Sequence, residues 1–236
     1  MKHLLCTAGL VLLAVAVRAQ GTPNVALKKE LDSLFVVDQQ YRKIIMAKDL
    51  GGKGDSLARA MNVPREQLFN HLNQEMGRVD AINLQRIEQI IVQYGYPGKT
   101  LVGEPTNVAA FYIIQHSPKI KQYFPLIEAA ARKGELPFHE YAKMQDRLLM
   151  QEGKEQIYGT QGRGFPTKGP DGRQGPMQMF IWPIKGPATV NQRRKEAGFT
   201  DTVEENARRL GIEYKVITLE EAKAMEKNSQ AQHNKQ

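Results

Sequence analysis

The spacing of apolar residues along the chain predicts a mainly α-helical protein. Between residues 24 and 153, aliphatic and aromatic residues recur at intervals of three and four, as they do on one face of an α-helix. Glycine and proline interrupt this pattern at "YGYPG", at Gly134 and at Gly153, where we expect helices to end. The segment "EPTNVAAFYIIQHSP" has almost no polar face before its end, which predicts a buried helix.

The pattern changes after Gly153. Two runs of β-type residues, "QIYGTQ" and "MQMFIWPI", flank a glycine- and proline-rich stretch at 162–176, which predicts a two-stranded ribbon with a long turn. Gly164 and Gly169 have the spacing of a phosphate-binding loop, but Pro170 stands where that loop needs lysine, and no helix follows. We therefore interpret the stretch as a hairpin turn or a lid. The predicted fold is a multi-helix, bundle-like domain with a small two-stranded β ribbon.

The N-terminal residues have the features of a signal peptide. A short basic start precedes the apolar run "LLCTAGLVLLAVAV", which is shorter than the roughly 20 residues of a membrane-spanning helix. Val17 and Ala19 are small residues at the positions that a signal peptidase requires. We predict cleavage after Ala19, export to the periplasm or beyond, one globular helical domain over 24–217, and a C-terminal helix over 218–236 that decays into a disordered polar tail.

Composition and charge narrow the function. The one cysteine, Cys6, lies inside the predicted signal peptide, so we expect neither a disulfide nor a thiol nucleophile in the mature chain. A net charge of +8 would suit an anionic envelope polymer, whereas the aromatic residues do not alternate with a basic stripe as in nucleic-acid-binding proteins. The histidines at 71, 116 and 139 share no metal-binding spacing, so no metal and no other cofactor is predicted. We expect no transmembrane segment after cleavage.

Several polar residues occupy positions where the helical pattern predicts leucine. Asp38 shares an apolar face with Leu31, and Arg42 follows it by one helical turn, so we expect these two charged residues to pair. Arg147 is expected to pair with a nearby carboxylate. Buried polar groups must bond to one another, to water or to a ligand. Two interpretations stay open: a structural network that sets the register of the helices, and a polar ligand pocket between them.

The same polar residues form an ordered series of motifs. The series consists of "DQQYR" (38–42), "DAINLQRIEQIIVQYGYPG" (80–98), a "VG" before a helix ending in "QH" (102–116), "DR" (146–147), "YGTQ" (158–161) and "RR…G" (193–198). It resembles a bacterial family of secreted helical proteins of unknown function, over about residues 30–200. The resemblance marks these motifs as family positions and implies no particular activity. Where that family commonly has an acidic residue before its arginine pair, this chain has Asn191 and Gln192.

The chemistry that remains is acid–base chemistry by a histidine, assisted by arginines that suit a carboxylate or a phosphate. No G-x-S-x-G nucleophile motif is present. We predict that a polar pocket between helices binds a small anionic or glycan-derived ligand; the alternative is a periplasmic hydrolase or lyase that uses His116 with an aspartate. The predicted catalytic residues are His116, Asp146 and Asp80, and the predicted ligand-binding residues are Asp38, Gln39, Arg42, Asn83, Arg147, Tyr158 and Gln161. We expect eight of these residues, all except Gln39 and Tyr158, to converge on one region.

Overall fold

The computed structural model describes residues 22–47, 50–168 and 174–233. The predicted signal peptide lies outside these ranges, so cleavage and export stay predictions. Within them the helices are α1 (Val25–Ile45), α2 (Leu50–Ala60), α3 (Leu68–Tyr94), α4 (Lys99–Val102), α5 (Ala109–Gln115), α6 (Ile120–Arg132), α7 (Phe138–Gln151), α8 (Val190–Glu196), α9 (Val203–Arg209) and α10 (Leu219–His233), and the strands are β1 (Gly162–Lys168) and β2 (Gln174–Ile181). A mainly α fold with a minor β ribbon is confirmed.

Local sequence signals explain where the main helices begin and end. The Asn24 side chain accepts a hydrogen bond from the backbone N–H of Leu27 at 3.0 Å and thereby caps the start of α1. Helix α3 ends at Gly95, whose φ of 75° lies in the left-handed region that glycine adopts without strain. Thr202 and Glu205 form a capping box at the start of α9.

The main core lies among α1, α3, α5, α6 and α7. Helices α1 and α3 run antiparallel, because residues at increasing positions in α1 contact residues at decreasing positions in α3. The carbonyl of Leu34 accepts from Asn83, for example, whereas Glu30 lies nearer the N-terminus of α1 and bonds Arg86. Helix α5 contacts both of them, and five of its seven residues are buried, as its sequence predicts.

The β ribbon begins later in the chain than its sequence pattern suggested. We expected "QIYGTQ" as one strand, but β1 begins at Gly162, and the glycine-rich stretch itself pairs with β2 in antiparallel register. A Cβ atom at Gly162 would lie 2.7 Å from Cδ1 of Ile212, so the missing side chain lets the strand approach the small core beneath α8 and α9. Of the stretch 162–176 that we expected as a turn or lid, residues 169–173 lie outside the described residues.

Helix α10 packs on the ribbon through Ala222, which is fully buried beside Phe180 and Trp182. It continues to His233, and residues 234–236, at the end of the segment where we predicted a disordered polar tail, lie outside the described part of the chain. In the described ranges, every helix is either too short or too polar to cross a lipid bilayer.

Candidate functional site

A histidine–aspartate pair joins the end of α5 to the middle of α1. Nδ1 of His116 lies 3.2 Å from Oδ1 of Asp38, whose side chain has no exposed surface, whereas 18% of the His116 side chain is exposed. Gln39 donates a hydrogen bond to the other oxygen of Asp38 at 2.6 Å. The face of α1 that carries Leu27 and Leu31 also carries Asp38, which explains its burial. The buried carboxylate therefore holds Nδ1 of an imidazole that keeps a small part of its surface exposed.

Arg42 extends this pair to a third helix. Its guanidinium donates to the backbone carbonyl of Asp38 at 2.6 Å and to Oδ2 of Asp80 at 2.7 Å, and lies 3.4 Å from the Asp38 carboxylate. The predicted pairing of Asp38 with Arg42 is confirmed. Asn83 lies one turn along α3 and donates to the carbonyl of Leu34 at 3.3 Å. We call Asp38, Gln39, Arg42, Asp80, Asn83 and His116 the histidine cluster; it joins α1, α3 and α5.

Arg147 lies at the edge of the histidine cluster without a counter-ion. One N–H of its guanidinium donates to the carbonyl of Gln115 at 2.9 Å, in the last turn of α5. The expected ion pair is absent: in the part of the chain that the structure describes, no carboxylate lies within ion-pair distance of Arg147, and its other N–H groups have no protein acceptor. Burial lowers the pKa of Arg147, because the charged form is partly removed from water.

Asp146 points away from the histidine cluster and organises the loop before β1. One carboxylate oxygen accepts from the backbone N–H groups of Ile157 and Tyr158 at 2.7 and 3.0 Å, and the other accepts from the N–H and hydroxyl of Thr160 at 3.0 and 2.9 Å. Asp146 has no exposed surface. Burial raises its pKa, and the hydrogen bonds from Thr160, Tyr158 and Ile157 oppose that rise. Because both oxygens are occupied and shut off from solvent, the geometry argues against the catalytic role that we predicted.

Tyr158 and Gln161, the predicted residues of the "YGTQ" motif, belong with Asp146 to a second network. We call it the loop cluster; its members are Asp146, Gln156, Ile157, Tyr158, Thr160, Gln161 and Arg194. The carbonyl of Tyr158 accepts from buried Arg194 at 2.9 Å, and the N–H of Gln161 donates to the buried Gln156 side chain at 2.9 Å. The Gln161 side chain donates weakly to the carbonyl of Lys143 at 3.4 Å. The ten predicted site residues therefore do not form one site: six make up the histidine cluster, three belong to the loop cluster, and Arg147 lies next to the histidine cluster.

Helix α7 carries a buried carboxylate, Glu140, that was not among the predicted site residues. Glu140 is 5% exposed, lies 3.3 Å from Nε2 of His139 and 2.7 Å from Nζ of Lys143, and accepts a hydrogen bond from Tyr112 at 3.4 Å. Burial opposes ionisation of Glu140, but His139 and Lys143 outweigh it and hold its pKa below the ordinary value. Burial and the Glu140 charge raise the pKa of Tyr112 to about 12. The spacing of Glu140, Lys143 and Arg147 on one helical face was the available signal.

A cleft of about 250 Å³ begins at Ser117, the residue after His116 in the sequence, and none of its lining residues belongs to the histidine cluster. It runs between the α5–α6 turn and the last turns of α7, and its lining residues are Ser117, Pro118, Ile120, Lys121, Leu148, Gln151 and Glu152. None of these was predicted as a site residue, although Ser117 follows His116 and Leu148 follows Arg147. Within the described ranges, no group of three or more histidine, cysteine or acidic side chains is placed to hold a metal ion.

Comparison with models of protein families assigns the chain to one family. Residues 58–217, about two thirds of its length, match the model of a family of unknown function (DUF6624), and the chain belongs to this family. The matched range contains Asp80, His116 and Arg147 but begins after α1, so the Asp38 half of the histidine cluster lies outside it. No curated protein matches the chain, and no solved structure does.

Proposed function

We propose that the protein binds a small anion, a carboxylate or a phosphate, at Arg147 beside His116. The observation that carries this proposal is the unpaired guanidinium. Arg147 is half-buried, so its charge is partly removed from water at a cost in free energy, and one neutral carbonyl compensates for that cost only in part. A guanidinium matches the two oxygens of a carboxylate or phosphate in a fork of parallel hydrogen bonds.

The neighbouring charged residues are already paired with groups other than Arg147. Arg42 is held by Asp38 and Asp80, and the nearest α7 cation, Lys143, is held by Glu140. Each of these charged groups thus has a partner inside the protein, whereas Arg147 lacks one in the described part of the chain. An anion at this position would supply the missing charge and occupy N–H groups that have no protein acceptor.

The test measures thermal unfolding with acetate, inorganic phosphate or glucuronate, and with neutral glucose as the blank. At an anion concentration of about 100 Kd, binding stabilises the folded protein by about 2.7 kcal/mol, which raises the Tm by about 5–10 °C for a domain of this size. We expect Arg147→Met to abolish this rise and Arg147→Lys to weaken it, because lysine keeps the charge and loses the fork.

Arg193→Met is the matched control. Arg193 also donates to backbone carbonyls, those of Ile157, Lys185 and Gly186, but it lies in the loop region away from α5. This variant should lower the Tm of the free protein and keep the full rise with anion. An undiminished rise in the Arg147→Met protein would refute the proposal, as would the absence of any rise in the wild type.

A second candidate function, acid–base catalysis by His116, rests on its contact with Asp38. When Nδ1 carries the proton and donates it to this buried carboxylate, Nε2 is left as an acceptor on a side chain that is 18% exposed. A base held by a third group in this way is the arrangement found in many hydrolases. The supporting result is turnover of p-nitrophenyl esters, phosphates or uronides that falls about 10²–10⁴-fold in His116→Gln. Catalysis would be excluded for these substrates if the wild type left all of them intact.

A further inference from the structure

Two chain segments lead from Arg147 to the cleft between the α5–α6 turn and α7, although Arg147 itself does not line this cleft. The guanidinium is bonded to the carbonyl of Gln115, two residues before Ser117 in the cleft wall. On the other wall, Gln151 follows Arg147 by four residues in α7, so both occupy the same face, one turn or about 6 Å apart. A ligand whose anionic group is bound by Arg147 has this cleft as the adjoining space.

The chemistry of the cleft walls is mixed. Pro118, Ile120 and Leu148 supply apolar surface, and Lys121 faces Glu152 across the cleft with 3.7 Å between the charged atoms. The Gln151 side chain is exposed, and its amide has no protein hydrogen-bond partner in the described part of the chain. A sugar ring has the complementary surface, because its C–H faces are apolar and its hydroxyl groups both donate and accept.

The volume of the cleft, about 250 Å³, is enough for one sugar ring. The openness of the cleft beside exposed Gln151 lets the remaining hydroxyl groups stay in water.

We propose that the ligand is an anionic monosaccharide, with its acid group on Arg147 and its ring in this cleft against Gln151. This inference rests on the proposed anion site and adds the class of ligand. The amide of Gln151 and the Lys121–Glu152 pair bond the hydroxyl groups, and Leu148 packs against the apolar face of the ring. Gln151 is thus the residue that distinguishes a sugar acid from a simple acid.

The experiment compares glucuronate with acetate, which carries the same acid group without the ring, by calorimetric titration of the full protein. Two or three added hydrogen bonds should make glucuronate bind about tenfold or more tightly than acetate. Gln151→Trp fills the cleft and should reduce glucuronate to the affinity of acetate while acetate binding stays unchanged. In nuclear magnetic resonance spectra, the side-chain amide of Gln151 should shift with glucuronate and not with acetate.

Gln93→Trp is the matched control, because Gln93 is also an exposed helical glutamine but lies at the end of α3. It should leave both affinities unchanged, and circular dichroism checks that each variant is folded. If neither anion binds the wild type, the anion site itself is wrong. If acetate binds but glucuronate binds no more tightly, or if Gln151→Trp leaves the preference intact, the anion site stands and the sugar cleft is refuted.

Discussion

Asp146 offers a sharp test of the structure, because one fully buried carboxylate holds the whole loop before β1. Its four donors are the N–H groups of Ile157, Tyr158 and Thr160 and the Thr160 hydroxyl, all within 3.0 Å of one of its oxygens. Asp146→Asn keeps one oxygen and replaces the other by an amide NH₂ of the same size. The change therefore alters the hydrogen bonding with almost no change in packing.

The expected cost follows from these four donors. With the asparagine oxygen placed toward Ile157 and Tyr158, the N–H of Thr160 meets another donor and loses its partner, at about 1–3 kcal/mol. The two retained bonds lose the charge of their acceptor, at about 1 kcal/mol each. Removing a buried charge offsets part of this loss. We expect a net destabilisation of about 2–4 kcal/mol, from a total of about 5–15 kcal/mol.

Urea unfolding followed by circular dichroism measures this difference, and the Tm should fall by about 4–16 °C. Asp55→Asn is the matched control, because the Asp55 side chain is 72% exposed and its ion pair with Arg65 contributes less than about 1 kcal/mol. Hydrogen exchange supplies a local readout. In Asp146→Asn, the backbone amides of Ile157 and Thr160 should lose their protection from hydrogen exchange, whereas the backbone amides of α1 should keep theirs.

A loss below about 0.5 kcal/mol, within the range of ordinary surface substitutions, would refute this account of Asp146. So would unchanged exchange at the loop amides, because the structure gives the N–H groups of Ile157 and Thr160 no other acceptor in the described part of the chain. A predicted role of Asp146 in catalysis would then become worth testing again.

Two further predictions concern a glycine and an acid. Gly159→Ala should lower the free energy of unfolding by about 1–3 kcal/mol or more, since φ is 68° and a Cβ atom would lie 2.6 Å from Cγ2 of Val203. Gly211→Ala, with φ of 73° and no atom within 4 Å, should cost less in the same thermal unfolding assay; equal losses would contradict the steric argument. Glu140 has its pKa lowered from 4.5 because His139 and Lys143 outweigh its burial, so its stabilisation is full above pH 4.5 and is lost as the pH falls through the lowered pKa. The stability difference between wild type and Glu140→Gln should therefore shrink in acid, and a difference that stays constant with pH in urea unfolding would oppose this assignment.

The sequence by itself determined the helices, the burial of α5 and the pairing of Asp38 with Arg42. Each of these depends on residues close together in the chain. A period of three to four places side chains on one helical face, and residues four apart in a helix lie next to each other wherever the helix packs. The polar residues on apolar faces were visible for the same reason, and so was the need for each of them to find a partner.

Only the tertiary structure decided which partners they found. Asp146 and Arg147 are neighbours in the sequence, yet Asp146 binds the loop cluster and Arg147 binds the end of α5, because consecutive residues of a helix point about 100° apart. The division of the predicted site into two clusters follows from that rotation. The contact between His116 and Asp38 joins positions 78 residues apart. Glu140 of α7 accepts a hydrogen bond from Tyr112 of α5, which lies 28 residues earlier in the chain. Such contacts depend on how helices pack against one another, and the local pattern of a single chain does not contain that information.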